Sequence, residues 1–168
     1  MTHLDLRTVR LRPGEELRDV RDVEITPVEL GGQGYVAVPE TVPAELRISR
    51  TTGGMLFELR LSVRLHGPCF RCLEDAALDQ AVDVSEYQAD SVQDEELTSP
   101  YVVDGRLDLS AWGRDSVVLA LPDKILCGEE CAGLCPVCGR NLNTEPHGHE
   151  GEESDPRWAG LSELRESL

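Results

Sequence analysis

Aromatic side chains are scarce in this 168-residue chain, with two Phe, two Trp and three Tyr. A core must therefore be mostly aliphatic, and so thin a core is one in which a metal ion can matter. Long apolar runs are missing as well. No stretch approaches the roughly 20 apolar residues that a membrane helix needs. The opening Met1-Thr-His-Leu-Asp5-Leu-Arg7 carries charge where a secretory signal would be apolar. The expectation is a cytoplasmic protein with no membrane partner. Basic residues are the third shortage: 16 Lys and Arg stand against 32 Asp and Glu, for a formal charge of −16. A potential of that sign repels phosphate backbones, whose binding depends on Lys and Arg. It suits solubility or a basic protein partner.

Two enzyme signatures are also absent. Gly31-Gly32-Gln33-Gly34 is not followed by Gly-Lys-Ser/Thr, so these glycines read as a turn and not a phosphate loop. No serine, histidine and acid arrangement stands out, and the many carboxylates are explained by solubility. The chain is not expected to be an enzyme.

The arginines that are present cluster early. Arg7, Arg10, Arg12, Arg18, Arg21, Arg47, Arg50, Arg60 and Arg64 all precede the first cysteine, so a less acidic face can survive the net charge. Residues 4–12 alternate and suggest a short strand ended by Pro13-Gly14; residues 15–29 read only as strand or loop. The clearest signal follows. Ala44, Leu46 and Ile48 alternate with polar neighbours, Thr51-Thr52-Gly53-Gly54 supplies a turn, and Met55 to Leu65 alternates again. Period 2 of this kind predicts an antiparallel hairpin with one buried face and with Glu58, Arg60, Ser62 and Arg64 on the other. Leu78, Val82, Val84 and Tyr87 extend it to a meander, with Cys69 and Cys72 in the connection. Asp108 caps a predicted helix over about 109–120, with Leu109, Trp112, Ser116 and Leu119 on its buried stripe, widened by Val117, Val118 and Ala120. Asp155-Pro156 opens a second predicted helix carrying Trp158, Leu161 and Leu164.

The fold expected is α+β: an antiparallel β-meander core with C-terminal helices and a cysteine-rich, zinc-knuckle module. Its parts are a β-rich region at 1–88 with the first Cys-x-x-Cys turn, an acidic linker at 89–100, a helix plus cysteine module at 101–143, and a tail with the terminal helix at 144–168.

Six cysteines in a reducing compartment are poorly explained by disulfides and well explained by metal. Cys127, Cys131, Cys135 and Cys138 fall within twelve residues, and Cys69 and Cys72 supply a second Cys-x-x-Cys pair. Paired thiolates of this spacing suit a tetrahedral, structural Zn²⁺ with no open position for water. Two ligand sets satisfy the spacing. Cys69, Cys72, Cys135 and Cys138 ranks slightly ahead, because it staples the hairpin to the C-terminal half; Cys127, Cys131, Cys135 and Cys138 is the local alternative. A histidine, His147 or His149, in place of one sulfur is the lesser reading, and their acidic surroundings make both read better as surface histidines. A dithiol oxidoreductase or redox switch at Cys69-Phe-Arg-Cys72 is the rival, weakened because the pair does not open a helix.

Gly67-Pro-Cys69-Phe-Arg-Cys72-Leu-Glu74, Asp108-Leu109, Leu119-Ala-Leu-Pro122, the run from Cys127 through Cys135-Pro-Val-Cys138-Gly139 to Asn141-Leu-Asn143, and Asp155-Pro-Arg157 occur in that order. In these motifs the chain resembles the YceD family, the large ribosomal RNA subunit accumulation proteins. The resemblance implies a role in 23S rRNA accumulation and large-subunit assembly, with a large-subunit ribosomal protein or pre-ribosomal particle as partner. It carries the first cysteine pair onto Cys69 and Cys72, the quartet onto Cys127, Cys131, Cys135 and Cys138, and a recognition surface onto the hairpin around Arg71 and Glu74. Direct contact with 23S rRNA is the alternative, with Arg60, Arg64 and Arg71 as phosphate contacts and Phe70 as a stacking ring.

Overall fold

The computed structural model describes residues 2–91 and 97–149. It divides into two compact units, one through Cys131 and one from Ala132. The division falls inside the 101–143 segment that the sequence reading treats as one piece.

The first unit is built around two long strands. β5 (Thr41–Arg50) and β6 (Gly54–Pro68) form the expected hairpin, and β7 (Asp75–Ala89) pairs antiparallel with β6 along its whole length, from Gly54↔Ala89 to Pro68↔Asp75. The alternation works as predicted: Phe57, Leu59, Leu61, Val63 and Leu65 are buried on one face, as are Ala44, Leu46 and Ile48. The meander grows beyond three strands. β2 (Glu16–Glu24) pairs with the free edge of β5, and the hairpin of β3 (Val28–Leu30) and β4 (Gln33–Ala37) pairs with β6 through Val36↔His66 and Ala37↔Leu65. Gly31 and Gly32, at φ of 59° and 78°, make the turn between β3 and β4. Both positions need the left-handed backbone that a two-residue hairpin loop of matching twist demands.

The first strand is shorter than residues 4–12 suggest. β1 spans His3–Asp5 and gives way to a 3₁₀ turn at Leu6–Thr8, because the Asp5 carboxylate accepts the Arg7 N–H and closes the turn. β1 joins β8 (Val102–Val103) and β9 (Arg106–Asp108) in a separate three-stranded sheet ordered β1-β9-β8.

One helix follows, α1 (Leu109–Ala120), capped by the Asp108 carboxylate accepting the Ala111 N–H. Its buried stripe is Leu109, Trp112, Gly113, Ser116 and Val117. Leu119 is 85% exposed and Val118 lies on the solvent side, against expectation. The stripe centres on Gly113, where a Cβ would stand 3.1 Å from Val23 Cγ1 and 3.3 Å from Leu61 Cδ2. The missing side chain lets the helix axis approach β2 and β6 there. Leu119 stands seven residues beyond buried Trp112 and on the same side, but it falls in the last turn of α1, where it stays exposed. The plural C-terminal helices are not borne out: α1 is the single α-helix among the described residues, and the helix expected from Asp155 lies outside them, as do residues 92–96 of the acidic linker. Among the described residues no helix is long and apolar enough to cross a membrane.

Candidate metal centre

The β6–β7 connection is a tight turn held by its own backbone. The Cys69 N–H donates to the Glu74 carbonyl at 2.7 Å, the Leu73 N–H donates to the Cys69 carbonyl at 3.0 Å, and the Arg71 N–H points at Cys69 Sγ from 3.4 Å. Closing the loop needs a left-handed residue after the second cysteine, and Leu73 takes that conformation at φ 63°. Behind the turn, Gly67 lies so close to Tyr35 that a Cβ would overlap its Cδ1, and the Tyr35 hydroxyl donates to the Pro68 carbonyl at 2.8 Å. Buried Tyr35 thus fixes where β6 ends and where Cys69 begins.

A second segment returns to this turn. The Phe70 N–H donates to the Ile125 carbonyl at 2.8 Å, and Ile125 is itself buried. That contact delivers Cys127, and a further turn closed by the Cys131 N–H on the Gly128 carbonyl delivers Cys131. The Arg71 guanidinium donates to the Cys131 carbonyl at 2.8 Å. The four sulfurs of Cys69, Cys72, Cys127 and Cys131 lie within 4.8 Å of one another.

The spacing of these sulfurs decides what they can do. Cys69 and Cys131 Sγ are 3.7 Å apart, and Cys72 and Cys127 Sγ are 3.6 Å apart. A disulfide requires about 2.05 Å, whereas metal–thiolate bonds of about 2.3 Å in a tetrahedron put sulfurs about 3.8 Å apart. The cluster therefore has the dimensions of a four-thiolate metal site. Its electrostatics agree. Burial pushes the Cys69 thiol up, but N–H donors from Cys72, Cys127 and Arg71 outweigh it and bring it down to about 6. Cys127, crowded by the Cys72 and Cys131 sulfurs, is pushed up to about 12. Cys72 is also raised, by burial first. Four thiolates cannot share so small a space without a cation.

Cys135 and Cys138 belong to another group. In the second unit the Cys135 N–H donates to the Arg140 carbonyl at 2.8 Å and the Gly139 N–H to the Cys135 carbonyl at 2.8 Å, with Gly139 at φ 71°. A turn at Asn141–Glu145 follows, closed by the Glu145 N–H on the Asn141 carbonyl. It brings His147 and His149 to the two sulfurs, with all four ligand atoms within 4.8 Å. The backbone N–H of Cys138 leads the groups that lower Cys135 to about 6, and the Glu145 carbonyl leads those that raise His147.

Neither four-cysteine set expected from the spacing is the one gathered here. Cys69 and Cys72 join Cys127 and Cys131; Cys135 and Cys138 join the two histidines read as ordinary surface residues. The signal missed was His147-Gly-His149, nine residues beyond Cys138 at its start. Among the partner-binding candidates, Arg71 is engaged on Cys131, and Glu74 lends its carbonyl to the cysteine turn. Phe70 is partly exposed, with Lys124 Nζ 5.0 Å from its ring centroid. Arg60 pairs with Asp83 at 2.9 Å and Arg64 faces Asp79 at 3.8 Å, both on the open side of the sheet.

The family model described as large ribosomal RNA subunit accumulation protein YceD matches residues 57–165. Uncharacterized proteins of Mycobacterium bovis and Mycobacterium tuberculosis are each 33% identical to the chain over 168 residues, covering 96% of this chain and 80% of theirs. An Arabidopsis thaliana protein named large ribosomal RNA subunit accumulation protein YCED homolog 1, chloroplastic, is 36% identical over 62 residues, which is 37% of this chain and 19% of that protein. No solved structure matches the chain. The family match runs from β6 through α1 and across both cysteine groups, and the chain belongs to the YceD family.

Proposed function

We propose that this protein is a non-enzymatic cytoplasmic factor that supports 23S rRNA accumulation and large-subunit assembly. It does so by binding a ribosomal protein or an assembly intermediate through a scaffold held by structural zinc at Cys69, Cys72, Cys127 and Cys131. The family supplies the process. The observation that carries the scaffold is the four-sulfur cluster, whose 3.7 Å and 3.6 Å separations fit a closed tetrahedral zinc site. A closed site leaves no position for a reacting water, which favours structure over hydrolysis. The charge of −16 favours a basic protein partner over RNA.

The test has two readouts. Depleting the protein should lower mature 23S rRNA and free large subunits, and the tagged protein should sediment with large-subunit precursors. The Cys69→Ser variant should lose the zinc of this four-cysteine site and both behaviours. Unchanged subunit profiles after depletion would sink the assembly role. Freshly purified protein with little zinc and a reversible Cys69–Cys131 or Cys72–Cys127 disulfide would replace the scaffold with the redox reading.

A further inference from the structure

We propose that the second unit carries its own zinc ion, bound by Cys135, Cys138, His147 and His149, so that each chain holds two zinc ions in chemically different sites. The two centres share no residue, and this one stands whether or not the first works as described.

Three independent observations carry the proposal. The first is the backbone. The Cys135-Pro-Val-Cys138-Gly139 turn repeats the hydrogen bonding of Cys69-Phe-Arg-Cys72-Leu73: cysteine N–H to the carbonyl five residues on, residue four N–H back to the cysteine carbonyl, and a left-handed residue in that fourth place. Side chains as different as Phe-Arg and Pro-Val occupy the two middle positions. The same geometry is thus built twice, and in both cases it presents two sulfurs to one side.

The second is the orientation of His147. Its Nδ1 is 2.7 Å from the Glu145 carbonyl, which can only accept, so Nδ1 carries a proton and the neutral ring has its lone pair on Nε2. That Nε2 points at Cys138 Sγ from 3.1 Å. A ring whose far nitrogen donates to a carbonyl while the near one faces a ligand cluster is the arrangement that orients metal-binding histidines. His149 completes the set, its ring 5.1 Å from that of His147 and at 86° to it.

The third is what the described residues of the unit lack. Among its described residues, only Gly133 and Cys135 are buried, and Leu134, Asn141 and Leu142 are half-buried. The Leu134↔Asn141 bridge and the Asn143 carboxamide accepting the Ala132 N–H give these described residues a frame, and they bury no large apolar side chain completely. Modules this small hold a fold through a metal or disulfide staple, and no disulfide is present among the six cysteines.

The donor set also suits its exposure. Two thiolates and two neutral imidazoles balance a divalent cation, leaving an uncharged centre, whereas four thiolates leave about −2 at the first. Cys138, His147 and His149 are exposed, so zinc should exchange faster here than at the first site, where Cys127 alone of the four ligands is exposed.

Native mass spectrometry of the full chain purified with zinc should find two ions. Cys135→Ser and His149→Asn should each retain one, and Cys69→Ser should retain the other. X-ray absorption on the wild type needs no variant to fold; it should give about three sulfurs and one nitrogen per zinc, the average of the two sites. A single zinc in the wild type that survives both Cys135→Ser and His149→Asn would overturn the proposal. So would an all-sulfur average.

Discussion

The Arg71 guanidinium donates to the Cys131 carbonyl across 2.8 Å, tying the turn that bears Cys69 and Cys72 to the segment that bears Cys127 and Cys131. Arg71 thereby holds together the two segments that gather the four sulfurs.

Replacing Arg71 with alanine should weaken zinc binding about 10-fold, the lower end of what loss of an outer hydrogen bond costs a metal site. Arg71→Lys keeps the charge without the fork and should fall between. Competition against a coloured chelator measures all three proteins. Equal affinities would release Arg71 from the scaffold and return it to the partner-recognition surface that the family resemblance suggests.

The two cysteine turns make an internal comparison. Leu73 and Gly139 occupy the same left-handed position, at φ 63° and 71°. A left-handed non-glycine residue costs roughly 1–2 kcal/mol, and Leu73 is largely exposed, with little packing to lose. Leu73→Gly should therefore leave stability unchanged or raise it slightly, since relief of strain is offset by greater freedom of the unfolded chain. Gly139→Val should lower the affinity of the second unit for zinc, because a β-branched residue resists that backbone. Urea denaturation reads the first variant and zinc titration the second.

How far the sequence discloses this fold depends on how local each feature is. The β5–β6 hairpin follows from alternation at Ala44 to Leu65 with glycines between, and Asp108 announces its helix by the Ala111 N–H it caps. The grouping of the sulfurs does not follow from spacing. It is decided by the Ile125 carbonyl reaching the Phe70 N–H, and by a turn at Asn141–Glu145 that swings His147 back to Cys138. The first is a long-range pairing that no local pattern records. The second is carried by two histidines in an acidic, glycine-rich run that resembles a tail. Leu119 shows the same limit on a smaller scale: its spacing places it on the side of buried Trp112, but it falls in the last turn of α1 and stays exposed.

Asp5 predicts a pH response. The Arg7 side chain, donating from Nε at 2.9 Å and from Nη2 at 2.8 Å, holds the Asp5 carboxyl down at about 2, with the Arg7 N–H adding to it. A carboxyl depressed on folding stabilises the fold above its unfolded pKa, and that contribution is lost as pH falls through the folded value. The window therefore runs from about 4 down to about 2. Carbon-detected NMR should place the Asp5 midpoint near its lower end, and Arg7→Ala should move it back toward the ordinary carboxylate range. A wild-type midpoint already in the ordinary range would show that the Asp5–Arg7 pair does not persist in water.

The open face of the sheet bears on whether RNA is touched directly. Arg60 and Arg64 on β6 are the residues best placed to meet phosphate, yet the register sets each opposite an aspartate on β7, Arg60↔Asp83 and Arg64↔Asp79. Arg47 is likewise paired, with Glu58. Each such pair is nearly neutral as seen by an approaching polyanion, and releasing an arginine to phosphate would leave a carboxylate beside that phosphate. Affinity for RNA grows with the number of phosphates neutralised, and its salt dependence with it. On this face that number is close to zero. The double variant Arg60→Ala/Arg64→Ala should therefore accumulate 23S rRNA at the wild-type level, measured against a depletion strain. Asp79→Asn/Asp83→Asn, which unmasks both arginines, should gain salt-sensitive binding to 23S fragments that the native protein lacks. Loss of 23S rRNA in the arginine variant, with zinc content unchanged, would instead restore the face as an RNA-contacting surface.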